Sequence, residues 1–109
     1  MFRVKSNPFE RFYNKSVKII KIETGSGYSD RGRETITELA ELKADIQPYG
    51  GGLAEKEYGL SEECQFRLFC NNNEHLTVGN YVESGGIRYK IIYIAVRDMG
   101  AEVLLQFVR

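Results

Sequence analysis

Tryptophan is absent from this chain of 109 residues, histidine occurs once, and cysteine and proline occur twice each. Each shortage narrows the range of chemistry. The single histidine, His75, lies in the stretch NNNEHLT, which reads as a turn between strands, and no Ser or Cys nucleophile stands in a recognisable elbow beside it. A lone loop histidine of this kind is expected to be solvated rather than catalytic. Cys64, Cys70 and His75 have the spacing C-x5-C-x4-H, which matches no established zinc pattern, so no metal is expected. The two cysteines fall on one face of what reads as a single strand, about 20 Å apart at about 3.3 Å per residue. A disulfide needs Cα atoms roughly 4.4 to 6.8 Å apart, so two reduced, buried thiols are expected.

Long apolar runs are missing too. No stretch approaches the roughly 18 residues that span a bilayer as a helix, and the start MFRVKSNPFERFYNK lacks the continuous apolar region of a secretory signal. The sequence therefore reads as that of a protein kept inside a cell. Phosphate-loop patterns are absent: Gly25, Ser26, Gly27 and Gly32 belong to neither G-x-x-x-x-G-K-[ST] nor G-x-G-x-x-G, and the segment after Glu34 reads as a strand where a phosphate site needs a helix N-terminus. The neighbouring carboxylates Glu55 and Glu57, and Glu62 and Glu63, have nothing nearby to raise one pKa and read as a solvated acidic surface. No enzyme is expected, and no cofactor.

What the chain does have is tyrosine and phenylalanine, 13 together, within a hydrophobic fraction of 42%. That is enough for one compact core, and the length is that of one domain covering residues 1–109. Charge is balanced at fifteen of each sign but segregated along the chain. Residues 1–33 hold eight Lys or Arg against three Asp or Glu, residues 34–63 two against eight, and the remainder five against four. Complementary patches of this kind guide encounter and register between subunits, although charge on exposed strand faces also solvates a sheet and protects its edges.

Strand patterns dominate. Residues 16–23 alternate Val17 and Ile19 against Lys18, Ile20 and Ile22, a strand with apolar residues on both faces that belongs in a central or covered position. In residues 40–47, Ala40, Leu42, Ala44 and Ile46 share one face, and Pro48 ends the run. Cys64, Phe66, Leu68 and Cys70 resume alternation against Gln65 and Arg67. Residues 76–83 and 86–96 form a hairpin through Ser84 and Gly85, and the turn at Asp98, Met99 and Gly100 leads into a last strand over 101–108. Between strands, residues 24–34 have the composition of a mobile loop, residues 53–58 allow one helical turn stopped by Gly59, and residues 1–14 form an arm or a short helix. About six strands with little helix predict a mainly β fold, a single small antiparallel β-barrel or sandwich.

The segments DIQPYGG, AEKEYGL and ECQFRLFC resemble a family of small head-tail connector proteins from long-tailed bacteriophages and phage-like elements of Gram-positive bacteria. The resemblance continues through Val78, Gly79, Asn80, Tyr81 and Val82, the strand over 86–93 and the turn Arg97-Asp98-Met99-Gly100, covering roughly residues 40–109. It implies a compact β-barrel-like fold and a structural protein of virion assembly, of the head-closure, adaptor or minor capsid type, forming an oligomeric ring beneath the portal and joining or closing the DNA-filled head to the tail. Implied partners are the portal or adaptor ring, tail-proximal connector proteins, other copies of the chain and DNA passing through the lumen, with no membrane. The implied location is the virion connector, after assembly in the bacterial cytoplasm. By the same analogy the interface residues are Tyr28, Arg31 and Arg33 in the first loop and Tyr49, Glu55, Lys56, Glu57 and Tyr58 in the crossing after Pro48.

A different class of function is a small barrel that binds single-stranded nucleic acid, with Lys15, Lys18, Lys21, Arg31 and Arg33 on the backbone and Tyr13 and Tyr28 stacking on bases. The neutral total charge and the acidic middle third weigh against it.

Overall fold

The computed structural model describes residues 13–25, 32–49, 56, 57, 59 and 64–108. They form six antiparallel strands, β1 (Lys15–Thr24), β2 (Glu34–Pro48), β3 (Phe66–Cys70), β4 (Tyr81–Ser84), β5 (Ile87–Arg97) and β6 (Gly100–Phe107), closed into a barrel in the order β1-β2-β3-β6-β5-β4. The expected six-stranded β fold is what forms, and it is a barrel rather than a sandwich. Closure gives every strand two neighbours around the barrel wall.

Alternation fills the interior. Val17 and Ile19 of β1, Ala44 of β2, Leu68 and Cys70 of β3, Val82 of β4, Tyr89 and Ile91 of β5, and Ala101, Val103 and Leu105 of β6 pack into one buried cluster. Leu42 and Ile46 lean on it, so the face read from residues 40–47 is the interior face. Phe66, Tyr89 and Phe107 gather with ring centroids 5.1 to 5.5 Å apart, edge-on for both Phe66 pairs. Such pairs add about 0.5 to 1.5 kcal/mol beyond their burial.

Two bulges break the period of two. In the β1–β2 ladder Ile19 pairs with Ala40 and Ile20 with Glu38, which leaves Leu39 as the extra residue of β2. In the β5–β6 ladder Ile91 pairs with Leu105 and Tyr93 with Leu104, which leaves Ile92 extra in β5. An inserted residue reverses the facing of everything beyond it. Ile94 thus turns inward, whereas simple alternation from Ile91 puts it on the outer face.

The bulge also builds a second cluster. Ile92 and Leu104, with Tyr93 beside them, are covered on the outer wall by Tyr49 and Cys64, the residues at either end of the crossing from β2 to β3. Backbone bonds from Tyr49 N–H to Gln65 C=O (2.8 Å) and from Gln65 N–H to Leu105 C=O (3.1 Å) pin those ends down. The two cysteines therefore do not share a face: Cys70 points into the barrel, whereas Cys64 precedes β3 and packs outside it. Both are free thiols.

The strand expected over residues 76–83 is shorter, because Gly79 takes a φ of 101° and only Tyr81–Ser84 remain extended in the sheet. Leu76 is nonetheless buried, held over the barrel end by a tight loop in which Asn80 Nδ2 donates to His75 C=O. The hairpin turn that follows is Gly85 and Gly86, with φ of 58° and 81°, one residue later than the sequence pattern places it. Two consecutive positive φ values suit a two-residue hairpin whose twist matches its strands.

β1 and β2 outrun the barrel. β4 accompanies β1 only from Lys18 to Ile20, and β3 accompanies β2 only from Ala44 to Pro48. Beyond Ile20, residues 21–24 and 34–37 pair, among the described residues, solely with each other as a two-stranded ribbon. Gly25 N–H donates to Arg33 C=O at 2.7 Å at its far end. The loop read over residues 24–34 lies mostly outside the described residues, as do the arm or short helix read over 1–14, all but Tyr13 and Asn14, and most of the helical turn at 53–58, of which Lys56 and Glu57 are helical; its stop, Gly59, has a φ of 67°.

Candidate functional site

The outer wall of β2, β3 and β6 brings polar and aromatic side chains together. Ladder register sets Gln47 beside Arg67 and Leu104 in one row, and Asp45 beside Phe69 and Glu102 in the next. Arg67 lies across this surface with its guanidinium 4.4 Å from the Tyr49 ring centroid and 4.9 Å from that of Phe69. Glu57 Oε2 approaches its Nη1 at 3.8 Å. Its Nε is buried and has no hydrogen-bond partner among the described residues. Facing aromatic rings take the place of water around a weakly hydrated cation.

Beside the Phe69 ring the wall opens into a mostly apolar cleft of about 490 Å³, bordered by Tyr13, Asp45, Gln47, Met99, Arg97 and Glu102. Gln47 Nε2 donates to Asp45 Oδ2 at 2.8 Å, and Arg97 Nε stands 3.7 Å from Glu102 Oε1, so the rim is polar and internally paired.

Of the residues expected at an interface, the described ones fall in two places: Arg33 on the ribbon, and Tyr49 and Glu57 either side of Arg67, with Lys56 beside Glu57. Arg33 is exposed at the far end of the ribbon, and Lys56 and Glu57 are exposed on the crossing. Tyr49 is only 4% exposed, a packing residue of the outer cluster with its ring beneath Arg67 rather than a surface contact. Tyr28, Arg31, Glu55 and Tyr58 lie outside the described residues. Arg67 and Phe69 were not expected, although an outward Arg and Phe two apart on a short strand is a pattern visible in the sequence.

On the opposite side, β1 turns Lys18 and Lys21 outward. Lys18 Nζ meets Glu38 at 3.3 Å and Lys21 Nζ meets Glu23 at 3.1 Å. The hydrogen bond and charge of Glu38, with Glu41 and Glu83 nearby, hold the Lys18 ammonium above its ordinary pKa. The basic residues of β1 are thus interleaved with carboxylates, and Tyr13 borders the cleft on the other wall.

Burial pushes the Cys70 thiol up to about 12, and burial raises Cys64 against the opposing pull of backbone hydrogen bonds and Arg67. Both thiols are neutral near pH 7. His75 Nε2 stands 3.5 Å from the exposed Glu74 carboxylate in the loop before Leu76. Among the described residues no group of three or more His, Cys, Asp or Glu is placed to hold a metal ion. Among them, too, no helix is long and apolar enough to cross a membrane.

No protein-family model matches the chain, and no curated protein matches its sequence. Its fold is similar to the solution structure of protein SF1141 from Shigella flexneri 2a, with a TM-score of 0.66 over 87% of this chain and 92% of that one at 13% identity. At that identity the similarity shows a shared fold.

Proposed function

We propose that this chain is a structural subunit of a phage-type head-tail connector, assembling with copies of itself into a ring that joins or closes the DNA-filled head to the tail. The observation that carries the reading is the pairing of a rigid closed barrel with a ribbon that projects beyond it, residues 21–24 against 34–37. A closed wall gives each subunit a fixed wedge, and the projecting ribbon, which no third strand joins among the described residues, offers strand edges at a defined place. The resemblance over residues 40–109 and the segregation of basic and acidic residues along the chain support the same assignment. In this function the exposed Arg33 on the ribbon and Lys56 and Glu57 on the crossing meet neighbouring subunits, the portal side or the tail side.

The nucleic-acid reading loses its main support to one observation. Lys18 and Lys21, the centre of its basic surface, are each paired with a carboxylate on the same face, and Glu41 and Glu83 lie close to Lys18. Phosphate binding there would have to displace those carboxylates.

Electron microscopy of particles made when the gene is silenced in its phage or induced prophage tests the assignment. Complete tails lying apart from tailless heads are expected, and DNA-empty heads would place the defect at closure. Normally joined particles overturn it.

A further inference from the structure

The ribbon and the wall around Arg67 carry complementary groups that lie far apart within one copy. Glu34, the first residue of β2, is exposed, and its carboxylate makes no hydrogen bond or ion pair among the described residues. Ile36, two residues on, is 49% exposed. The ladder sets both on one face of the ribbon, opposite Thr24 and Ile22.

Arg67 is a cation short of hydrogen bonds. Its guanidinium rests against the Tyr49 and Phe69 rings, while Glu57 Oε2 stops at 3.8 Å and 25% of the side chain stays exposed. An arginine stacked on aromatic rings keeps its in-plane edge for a carboxylate, which it can meet through two parallel N–H···O bonds. Phe69, two residues along β3, faces out of the same wall and borders the apolar cleft. Within one copy Arg67 pairs with Gln47, thirteen residues along β2 from Glu34. That is roughly 40 Å of extended strand, too far for a side-chain contact.

We propose that Glu34 of one copy docks on Arg67 of a second copy, with Ile36 beside it against Phe69. Each pair of residues is two apart on one strand face, about 6.6 Å, so a ribbon laid along β3 makes both contacts at once. A ribbon end against a barrel wall is a heterologous contact, the kind that repeats from copy to copy and closes rings. The inference rests on the connector reading for the ring in which the contact repeats, whereas the contact itself needs only two copies.

Charge reversal tests it in the phage or induced prophage. Glu34→Arg, at an exposed site, should leave the unfolding midpoint unchanged and lower the yield of joined particles about tenfold by setting like charges together. Adding Arg67→Glu should restore joining to within about threefold of the wild type. A Glu34→Arg chain that joins heads to tails normally, where loss of the gene prevents joining, overturns the contact and leaves the connector reading standing. Normal joining without the gene overturns that reading instead. A double variant that folds yet joins no better than Glu34→Arg also overturns the contact. The purified chain gives a measurement free of the phage. In Arg67→Lys, at high protein concentration, a zero-length carbodiimide should couple the Glu34 carboxylate to the new amine, and a mixture of isotopically heavy and light chains should yield cross-linked peptides of mixed label. Absence of that cross-link, or its confinement to peptides of one label, overturns the proposal.

Discussion

Arg67 stacks on Tyr49 at 4.4 Å, and this contact ties the start of β3 to the first residue after β2. Tyr49 in turn covers Leu104 and Ile92 on the outer wall. Truncation by Arg67→Ala removes the cation, its apolar stem and part of the cover over Tyr49, and a loss of about 2 kcal/mol is expected. Arg67→Lys, which keeps charge and stem but not the planar stack, should lose about half as much. Urea unfolding of the two variants checks the order, and equal stability of Arg67→Ala and wild type would refute the structural role of the stack.

Ile91 and Val96 sit on one strand, five residues apart, at opposite extremes of burial, 0% and 71% exposed. Ile91→Ala opens a cavity in the barrel interior and should cost about 3 to 4 kcal/mol, a large part of the typical stability of a small domain. Val96→Ala should stay within about 0.5 kcal/mol. Thermal or chemical unfolding of the pair measures the contrast.

The thiol of Cys70 gives the barrel an alkaline limit. Its native pKa is pushed up to about 12 from an ordinary value of 9.0, so the folded state keeps a proton that the unfolded state releases. Below about pH 9 both states are protonated and the thiol contributes no pH dependence; stability then falls as pH rises from about 9 toward 12. Cys70→Ala should flatten that decline, as read by unfolding midpoints at successive pH values. Under native conditions at pH 8, a thiol reagent should modify Cys64 faster than Cys70.

At the β4–β5 turn, Gly86 has a φ of 81°, and a Cβ added there meets no atom within 4 Å. Gly86→Ala therefore isolates the backbone cost of a left-handed conformation, about 1 to 2 kcal/mol, free of any clash. A Tm unchanged from wild type would show that the turn relaxes to another type.

Single-stranded DNA offers a check on the basic face of β1. With Lys18 and Lys21 held by Glu38 and Glu23, fluorescence anisotropy should detect at most weak binding at low salt, with a shallow salt slope. Tight binding with a slope of several units would favour the nucleic-acid reading instead.

Strand identity was legible from residue periodicity because one face of each strand packs on the core: in residues 40–47 Ala44 is fully buried, and Ala40, Leu42 and Ile46 pack partly buried against the same cluster. Closure into a barrel was not legible, since the same alternation serves a sandwich equally well. Facing beyond a bulge was also hidden. Nothing in the run Ile91-Ile92-Tyr93-Ile94 marks which residue is extra, and the answer depends on the partner strand β6 and on the cover provided by Tyr49 and Cys64. The outer-wall cleft joins residues from four separated stretches of sequence, Tyr13, Asp45, Phe69 and Met99 among them, so only the ladder register brings it together.

The barrel is sealed unevenly around its circumference. β1 runs beside β2 for its whole length, yet meets β4 only at Lys18, Ile19 and Ile20, with a further bond from Ser84 Oγ to Ser16 C=O at 3.2 Å. The wall is therefore a long curled sheet fastened by a short latch. Releasing that latch exposes one edge of β1 and one of β4 while the β1–β2 and β5–β6 ladders persist, so opening at this seam unrolls the sheet without breaking its longest pairings.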